Sequence, residues 1–370
     1  MSYFNIMNIS IPKIFGLVLC FFSFNICARA QQDSSKTHGV KLHYAIGADL
    51  SFSKMAQDSG AVFKDNGKAE PVLDIFRQNG YNWIRLRLFH RPAHPPNNLE
   101  YTIALAKQAK KRGFKFLLDY HYSDTWADPG HQITPAAWQG LSPQVMTDSV
   151  YSYTKRTIEA FRKAGVMPQM VQIGNEVRNG MLWPTGKLPE HWDRFAKLVK
   201  AGIAGVEAGR GTAPRPLIMI HFDQGGSPQM TKKFYDKINS YGIHYDVIGL
   251  SYYPWWHGSL LDLRENLISL VHNFNKDVIV VETAYNWEPS QYKNQPAPFP
   301  ETPQGQKDYL QSLNQILLDV SSPKIKGLFW WEPAVPPGPL RSRGFFDDKG
   351  NALPVINVFD KYTRGKTPGN

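Results

Sequence analysis

A chain of 370 residues, 42% hydrophobic and 13% aromatic, can bury a large core, and the absence of charge runs or low-complexity blocks argues against disorder away from its two ends. Its net charge of +11 comes from Lys and Arg spread along amphipathic stretches, such as Lys107, Lys110, Lys111 and Arg112. That spread favours solvated helix faces over a nucleic-acid footprint and leaves adsorption to an acidic polymer matrix open.

The first thirty residues read as an export signal. Lys13 is a thin positive region, residues 14–27 are mostly apolar, and Ala28-Arg29-Ala30 before Gln31 has the small-x-small form of a cleavage site. The apolar run is short for a membrane span. A secreted or periplasmic protein without membrane attachment is expected, with a flexible stretch over 31–40 and a single domain over 41–370. Both cysteines, Cys20 and Cys27, lie in the signal, so disulfides and thiolate chemistry are not expected in the mature chain.

From Lys41 onward an apolar strand, a polar loop and an amphipathic helix recur. The first strand is expected over 44–52 and a helix over 70–78, closed by Gly80. Residues 83–89 form the second strand, and a stripe of Leu99, Ile103 and Ala106 stops at Gly113. The third strand, 114–120, runs into His121-Tyr122-Ser123-Asp124-Thr125-Trp126. Val150, Ile158 and Phe161 stripe the next helix, up to Gly165. Val171-Gln172-Ile173 is an apolar run that ends in Gly174-Asn175-Glu176, and Trp192, Phe195, Val199, Ile203 and Val206 stripe the helix behind it. Strand five, 217–220, leads to His221-Phe222-Asp223, followed by a helix bearing Phe234 and Ile238. Strand six, 247–250, leads to Ser251-Tyr252-Tyr253-Pro254-Trp255-Trp256, with Leu263, Leu267, Leu270 and Phe274 on its helix. Val278-Ile279-Val280-Val281 ends in Glu282. A Pro-rich loop covers 286–300, and Thr302-Pro303 suits a helix start. Strand eight, 325–330, meets Trp331-Glu332-Pro333, and a last short helix is expected over 355–362.

Eight strand–helix units without a break in composition predict parallel pairing with right-handed crossovers, closed into a (β/α)8 TIM barrel. An open doubly wound sheet is the alternative, but no Gly-x-Gly-x-x-Gly turn follows the first strand.

Polar residues collect after the strands: Asp49, Arg85, Arg87, His121, Asp124, Asn175, Glu176, His221, Asp223, Tyr252, Glu282 and Glu332. All are expected at one mouth, joined by Trp126, Trp138, Trp183, Trp255, Trp256, Trp287, Trp330 and Trp331. Trp83 is assigned to the core. Aromatic faces beside hydrogen-bonding groups suit sugar rings. Two strand-end carboxylates, Glu176 and Glu282, suit cleavage of a glycosidic bond, one protonated and one ionised. Metal hydrolysis through His121, His221, Asp49 and Asp223 is the rival, weakened by the lack of tight ligand spacing. There is no Gly-x-Ser-x-Gly for a serine nucleophile.

Several segments together resemble the arabinogalactan endo-β-1,4-galactanases, family 53 of the glycoside hydrolases, within a clan of retaining (β/α)8 enzymes. They are Gly47-Ala48-Asp49, Arg85-Leu86-Arg87, Asp119 through Pro129, Gly174-Asn175-Glu176, Ser251-Tyr252-Tyr253-Pro254, Val281-Glu282-Thr283 and Trp330-Trp331-Glu332-Pro333. The resemblance implies Glu176 as acid/base and Glu282 as nucleophile. It puts Asn175 near the sugar 2-hydroxyl, and Arg85 with Tyr252 or Tyr253 beside the nucleophile. Asp49, His121, Asp124, Trp126, Trp183, Asp223 and Trp331 complete the expected substrate contacts, and Asp128 is a further rim acid suited to sugar hydroxyls. Glu332 is given a structural or sugar-binding role. Some relatives bind calcium between loops seven and eight. Here the loop over 334–343 is short and has no acid, so no cofactor or metal is expected. The substrate implied is β-1,4-galactan, as in pectin side chains, taken by a monomer. A clan relative acting on mannan or glucan, or a non-catalytic glycan-binding barrel, is the alternative.

Overall fold

The computed structural model describes residues 42–289, 292 and 297–360. The export signal, the 31–40 stretch, both cysteines, part of the Pro-rich loop and the expected helix end at Tyr362 lie outside the described residues.

Eight strands close into an all-parallel barrel: β1 (Ala45–Asp49), β2 (Trp83–Leu88), β3 (Lys115–Tyr120), β4 (Met170–Ile173), β5 (Leu217–Phe222), β6 (Val247–Ser251), β7 (Asp277–Thr283) and β8 (Ile325–Trp331). Each pairs with its sequence neighbours, and β1 closes the ring by pairing with both β2 and β8. The strands are buried along nearly their whole length, which is why they read as continuous apolar runs rather than alternations. Outside them lie α1 (Ser53–Asp58), α2 (Val72–Gln78), α3 (Leu99–Lys111), α4 (Pro143–Lys163), α5 (Trp192–Arg210), α6 (Pro228–Ser240), α7 (Leu260–Asn273) and α8 (Pro303–Asp319). Ser142, Ser227, Ser259 and Thr302 cap the starts of α4, α6, α7 and α8 through their hydroxyls.

The core has two parts. One lies between strands and helices. The other fills the barrel itself with Trp83, Leu117, Met170, Met219, Val247, Ile279, Val281 and Phe329. Gly47 makes room for this plug: a Cβ there would sit 2.2 Å from the Phe329 ring.

The structure departs from expectation at short elements. The first strand stops at Asp49, and α1, which has no apolar stripe to announce it, follows. Two small hairpins, Lys64–Asp65 with Lys68–Ala69 and Gly180–Met181 with Gly186–Lys187, are too short to carry periodicity. The segment expected as a closing helix is a 3-10 turn, Pro354–Phe359.

One irregularity bears directly on function. Along β6 and β7, Leu250 pairs with Val280 but Ser251 pairs with Glu282, so two residues of β7 oppose one of β6. Ile279 and Val281 already face the barrel axis, and strict alternation would turn Glu282 outward. The bulge turns it inward instead.

Candidate active site

Residues two apart on a strand face the same way. Up one face of β2 run Trp83, Arg85 and Arg87; up β3 and beyond run Leu117, Asp119 and His121; up β4 run Met170 and Gln172; up β5 and beyond run Met219, His221 and Asp223. The lowest of each series belongs to the apolar plug. Those above it form a polar floor under the carboxyl-terminal mouth, where α/β barrels build their sites.

Arg85 ties this floor together. Its Nη1 donates to Asp49 Oδ2 (3.0 Å) and Glu282 Oε2 (2.9 Å), and its Nη2 donates to Asn175 Oδ1 (2.8 Å) and lies 2.9 Å from Asp119 Oδ2. Burial opposes the cation, but Asp119, Glu282 and Asp49 outweigh it and hold the guanidinium above its ordinary pKa. Burial likewise works against the Asp49 anion. Arg87 and Arg85 overcome it, and Asp49 ends below the usual carboxylate value. Arg87 is clamped between Asp49 (3.2 Å) and Glu332, and the Trp126 ring covers it at 4.3 Å.

The two strand-end glutamates are treated differently. Glu176 stands two residues after Gly174, whose φ is +81°, and itself adopts a left-handed backbone, φ 47° and ψ 55°. Its Oε1 accepts from Ser251 Oγ at 2.6 Å. Burial raises its pKa well above the carboxylate range, and the charges of Glu282 and Asp223 push the same way. Burial also raises Glu282, but Arg85 and the Tyr253 hydroxyl, which donates to Oε1 at 2.8 Å, favour its anion. Of the pair, Glu176 is the group to hold a proton and Glu282 the group to lose one. A carboxylate oxygen of each lies within 4.8 Å of the other.

Both open into a cleft of about 670 Å³ lined by Arg85, His121, Trp126, Asp128, Asn175, Glu176, Asp223, Tyr253, Trp256, Glu282, Trp331 and Arg343, among others. Trp126 and Trp331 meet edge to face at 5.9 Å on one wall, and Trp256 is 45% exposed at the other end. Arg343 sits within 6.0 Å of the ring centres of Tyr253, Trp255, Trp256, Tyr292 and Trp331 and donates to the Tyr292 hydroxyl at 2.6 Å.

Several residues expected at the mouth lie elsewhere. Asp49 and Glu332 are fully buried partners of the two arginines and lie in the floor beneath the cleft. Asp124 accepts from the backbone N–H groups of Arg91 and Ala136 and faces His90; it staples its own loop and does not line the cleft. Trp183 donates to Asn179 O and packs under Lys187, outside the cleft lining. Tyr252 points away, donating to Gly258 O at 3.0 Å; Tyr253 is the tyrosine on Glu282. Trp138, Trp255 and Trp330 are buried packing residues, and the half-buried Trp287 donates to Arg341 O.

Sequence reasoning missed others. Gln172 links Asp119, Asn175 and His221 from mid-strand, where a buried glutamine was the one available signal. Ser251, Arg178, His257 and Arg343 also reach the site, with no residue-type signal of their own.

His121, His221, Asp49 and Asp223 do not form a ligand set. Among the described residues, one group of three, Glu176, His221 and Glu282, has ligand atoms close enough for an ion. Arg85 beside Glu282 and the hydrogen bonds already made by Ser251 and Tyr253 engage both oxygens of Glu282 and one of Glu176.

The sequence matches glycosyl hydrolase family 53 over residues 45–359. It is 40% identical over 336 residues to an uncharacterized protein of Niallia circulans, covering 86% of this chain and 90% of that one. It is 38% identical over 305 residues to a probable arabinogalactan endo-β-1,4-galactanase A of Neosartorya fischeri, covering 78% and 83%. The solved catalytic domain of an Ignisphaera aggregans family 53 protein superposes with a TM-score of 0.80 at 32% identity, covering 87% of this chain and 97% of that one.

Proposed function

The chain belongs to glycosyl hydrolase family 53, and from that premise we propose that it is an endo-acting β-1,4-galactanase that retains anomeric configuration. The observation that carries the reading is the carboxylate pair. Oxygens of Glu176 and Glu282 lie within 4.8 Å of each other. Double displacement uses carboxyl groups about 5–5.5 Å apart, whereas an inverting pair stands about 6.5–9.5 Å apart to admit water.

Their surroundings assign the roles. Glu176, kept protonated by burial and by the charges of Glu282 and Asp223, gives its proton to the glycosidic oxygen as the bond breaks. Glu282, aimed by Arg85 and Tyr253, attacks the anomeric carbon and forms the glycosyl-enzyme. With that negative charge gone, Glu176 is the base that deprotonates the incoming water, and the second displacement restores the β-configuration. Trp126, Trp256 and Trp331 offer faces for sugar rings along the cleft.

The substrate read here is unbranched β-1,4-galactan, as in pectin side chains, cut to short galacto-oligosaccharides. The chain is read as a single catalytic domain over 41–370 that acts as a monomer after export. The apolar segment ending at Ala28-Arg29-Ala30 supports export, and among the described residues no helix is long and apolar enough to cross a membrane.

The test is chemical rescue with a substrate panel. Glu282→Ala abolishes turnover, and azide then yields the α-glycosyl azide. Glu176→Ala retains the first step on substrates with good leaving groups, and azide yields the β-azide. The opposite stereochemistry in the two variants reverses the roles. Offered equal masses of galactan, mannan, carboxymethylcellulose and xylan, the wild type prefers galactan; preference for any other polymer refutes the substrate.

A further inference from the structure

We propose that Ser251 and His221 form a fixed hydrogen-bond chain that confines the acid proton of Glu176 to Oε2, the oxygen left free for the cleft. Ser251 is thus a positioning residue for the acid. This rests on Glu176 being the acid/base.

Ser251 and His221 are fully buried behind Glu176, which opens into the cleft. Ser251 Oγ lies 2.6 Å from Glu176 Oε1, and His221 Nε2 lies 2.8 Å from Ser251 Oγ. The polarity of the chain is set at its far end. The backbone N–H of Glu176 donates to His221 Nδ1 at 3.4 Å, and Gln172 Nε2 approaches the same atom at 3.2 Å. A backbone amide can only donate, so Nδ1 is the bare nitrogen and Nε2 carries the hydrogen. Nε2–H then donates to Ser251 Oγ. The single hydroxyl hydrogen of Ser251 is left for Oε1, which must accept. The carbonyl oxygen of a protonated carboxyl is the stronger acceptor, so Oε1 takes that role and the acid proton resides on Oε2. Asn175 Oδ1 is also 3.0 Å from Nδ1; in this arrangement it is satisfied by Arg85 at 2.8 Å rather than by the imidazole, and the two amide hydrogens of Gln172 go to Asp119 and Nδ1. Burial and the nearby Arg85 cation hold His221 neutral, so the chain keeps one polarity through the working range.

The chain has a second effect. A donor on Oε1 favours the anion that remains once the proton has gone to the leaving oxygen. It therefore opposes burial, Glu282 and Asp223, which push the Glu176 pKa upward. The charged or titrating groups facing Glu176 are Arg85 from β2, His221 and Asp223 from β5 and its end, Tyr253 after β6 and Glu282 from β7. None of them takes over the Ser251 bond. Neither Ser251 nor His221 loses a proton in the cycle: the proton leaves Oε2 for the glycosidic oxygen and returns from water to the same atom.

Ser251→Ala removes the donor and keeps the volume nearly intact. A hydrogen bond to a charged group corresponds to about one pKa unit or more. The basic limb of kcat/KM, which reports the acid in the free enzyme, is therefore expected to move up by about one pH unit. At neutral pH, kcat/KM on galactan falls about tenfold or more as the proton loses its fixed position. The glycosylation rate on a dinitrophenyl galactobioside, which needs little acid assistance, falls far less. In the wild type, 15N spectra of labelled histidine show, among the buried imidazoles, one that is absent from His221→Phe, with Nδ1 bare and Nε2 protonated. An unmoved basic limb with both substrates slowed alike, or protonation of His221 at Nδ1, overturns the proposal. If the wild type cleaves another β-1,4-glycan instead of galactan, the galactanase reading fails, and the same profile run on that glycan and its aryl glycoside still decides the role of Ser251.

Discussion

Replacing Arg85 by Met should cost about 3–5 kcal/mol at pH 7, the range for removing one partner of a buried ion pair. Arg85 is 1% exposed and has Asp49, Asp119 and Glu282 within 3.0 Å. Its removal leaves those buried carboxylates without their shared cation, and of the three Arg87 reaches Asp49 alone. In the wild type the folded pKa of Asp49 is lowered, so its contribution is present above the unfolded value and lost as pH falls through the folded one. Without Arg85 the sign reverses: buried carboxylates rise above their unfolded values and destabilise at any pH where they stay charged. The deficit should therefore be greatest near pH 7 and shrink towards pH 5 as the floor takes up protons. Urea unfolding of the wild type, Arg85→Met and Arg85→Lys at both values measures it. Arg85→Lys should fall between, because one ammonium cannot reach both Glu282 and Asn175 as the guanidinium fork does. A deficit below about 1 kcal/mol at pH 7, or one independent of pH, would refute the reasoning.

Tyr253→Phe should slow glycosylation about tenfold to a hundredfold by removing the 2.8 Å bond to Glu282, whereas Tyr252→Phe should leave kcat within about threefold, since its hydroxyl meets Gly258 O; equal losses would contradict the assignment. Glu332→Gln should lower the melting temperature by several degrees while leaving kcat within about threefold, because it removes the Glu332 half of the clamp on Arg87 and leaves Asp49 as its one partner beneath the Trp126 ring; lost turnover with unchanged melting would place Glu332 in the chemistry. Dialysis against EDTA should leave activity and melting unchanged. Loops seven and eight are joined by Arg341 with Glu288, Ser342 with Asn286 and Trp287 with Arg341 O, and a melting temperature restored by calcium would show that they also depend on an ion.

The barrel was legible because its signals are long. Apolar strands buried on both faces repeat eight times with amphipathic helices between them, and each repeat corroborates the others. Glu176 and Glu282 were legible because each ends such a run. What escaped was set by geometry that sequence spacing does not encode. Asp49 and Glu332 follow strands as Glu176 does, yet arginines claim them below the cleft. The choice between Tyr252 and Tyr253 depends on the register at the end of β6. Ser251 is an ordinary strand-end serine until the β6–β7 bulge brings its neighbour Glu282 inward and the turn after β4 brings Glu176 onto its hydroxyl.

The left-handed backbone at Glu176 has a consequence for stability. A residue with a Cβ held at φ 47° stores roughly 1–3 kcal/mol, and its carboxyl is buried among like charges. A single change to glycine relieves both at once, removing the side chain and permitting the dihedral. A Glu176→Gly variant is therefore expected to melt above the wild type while losing the carboxyl that faces the cleft.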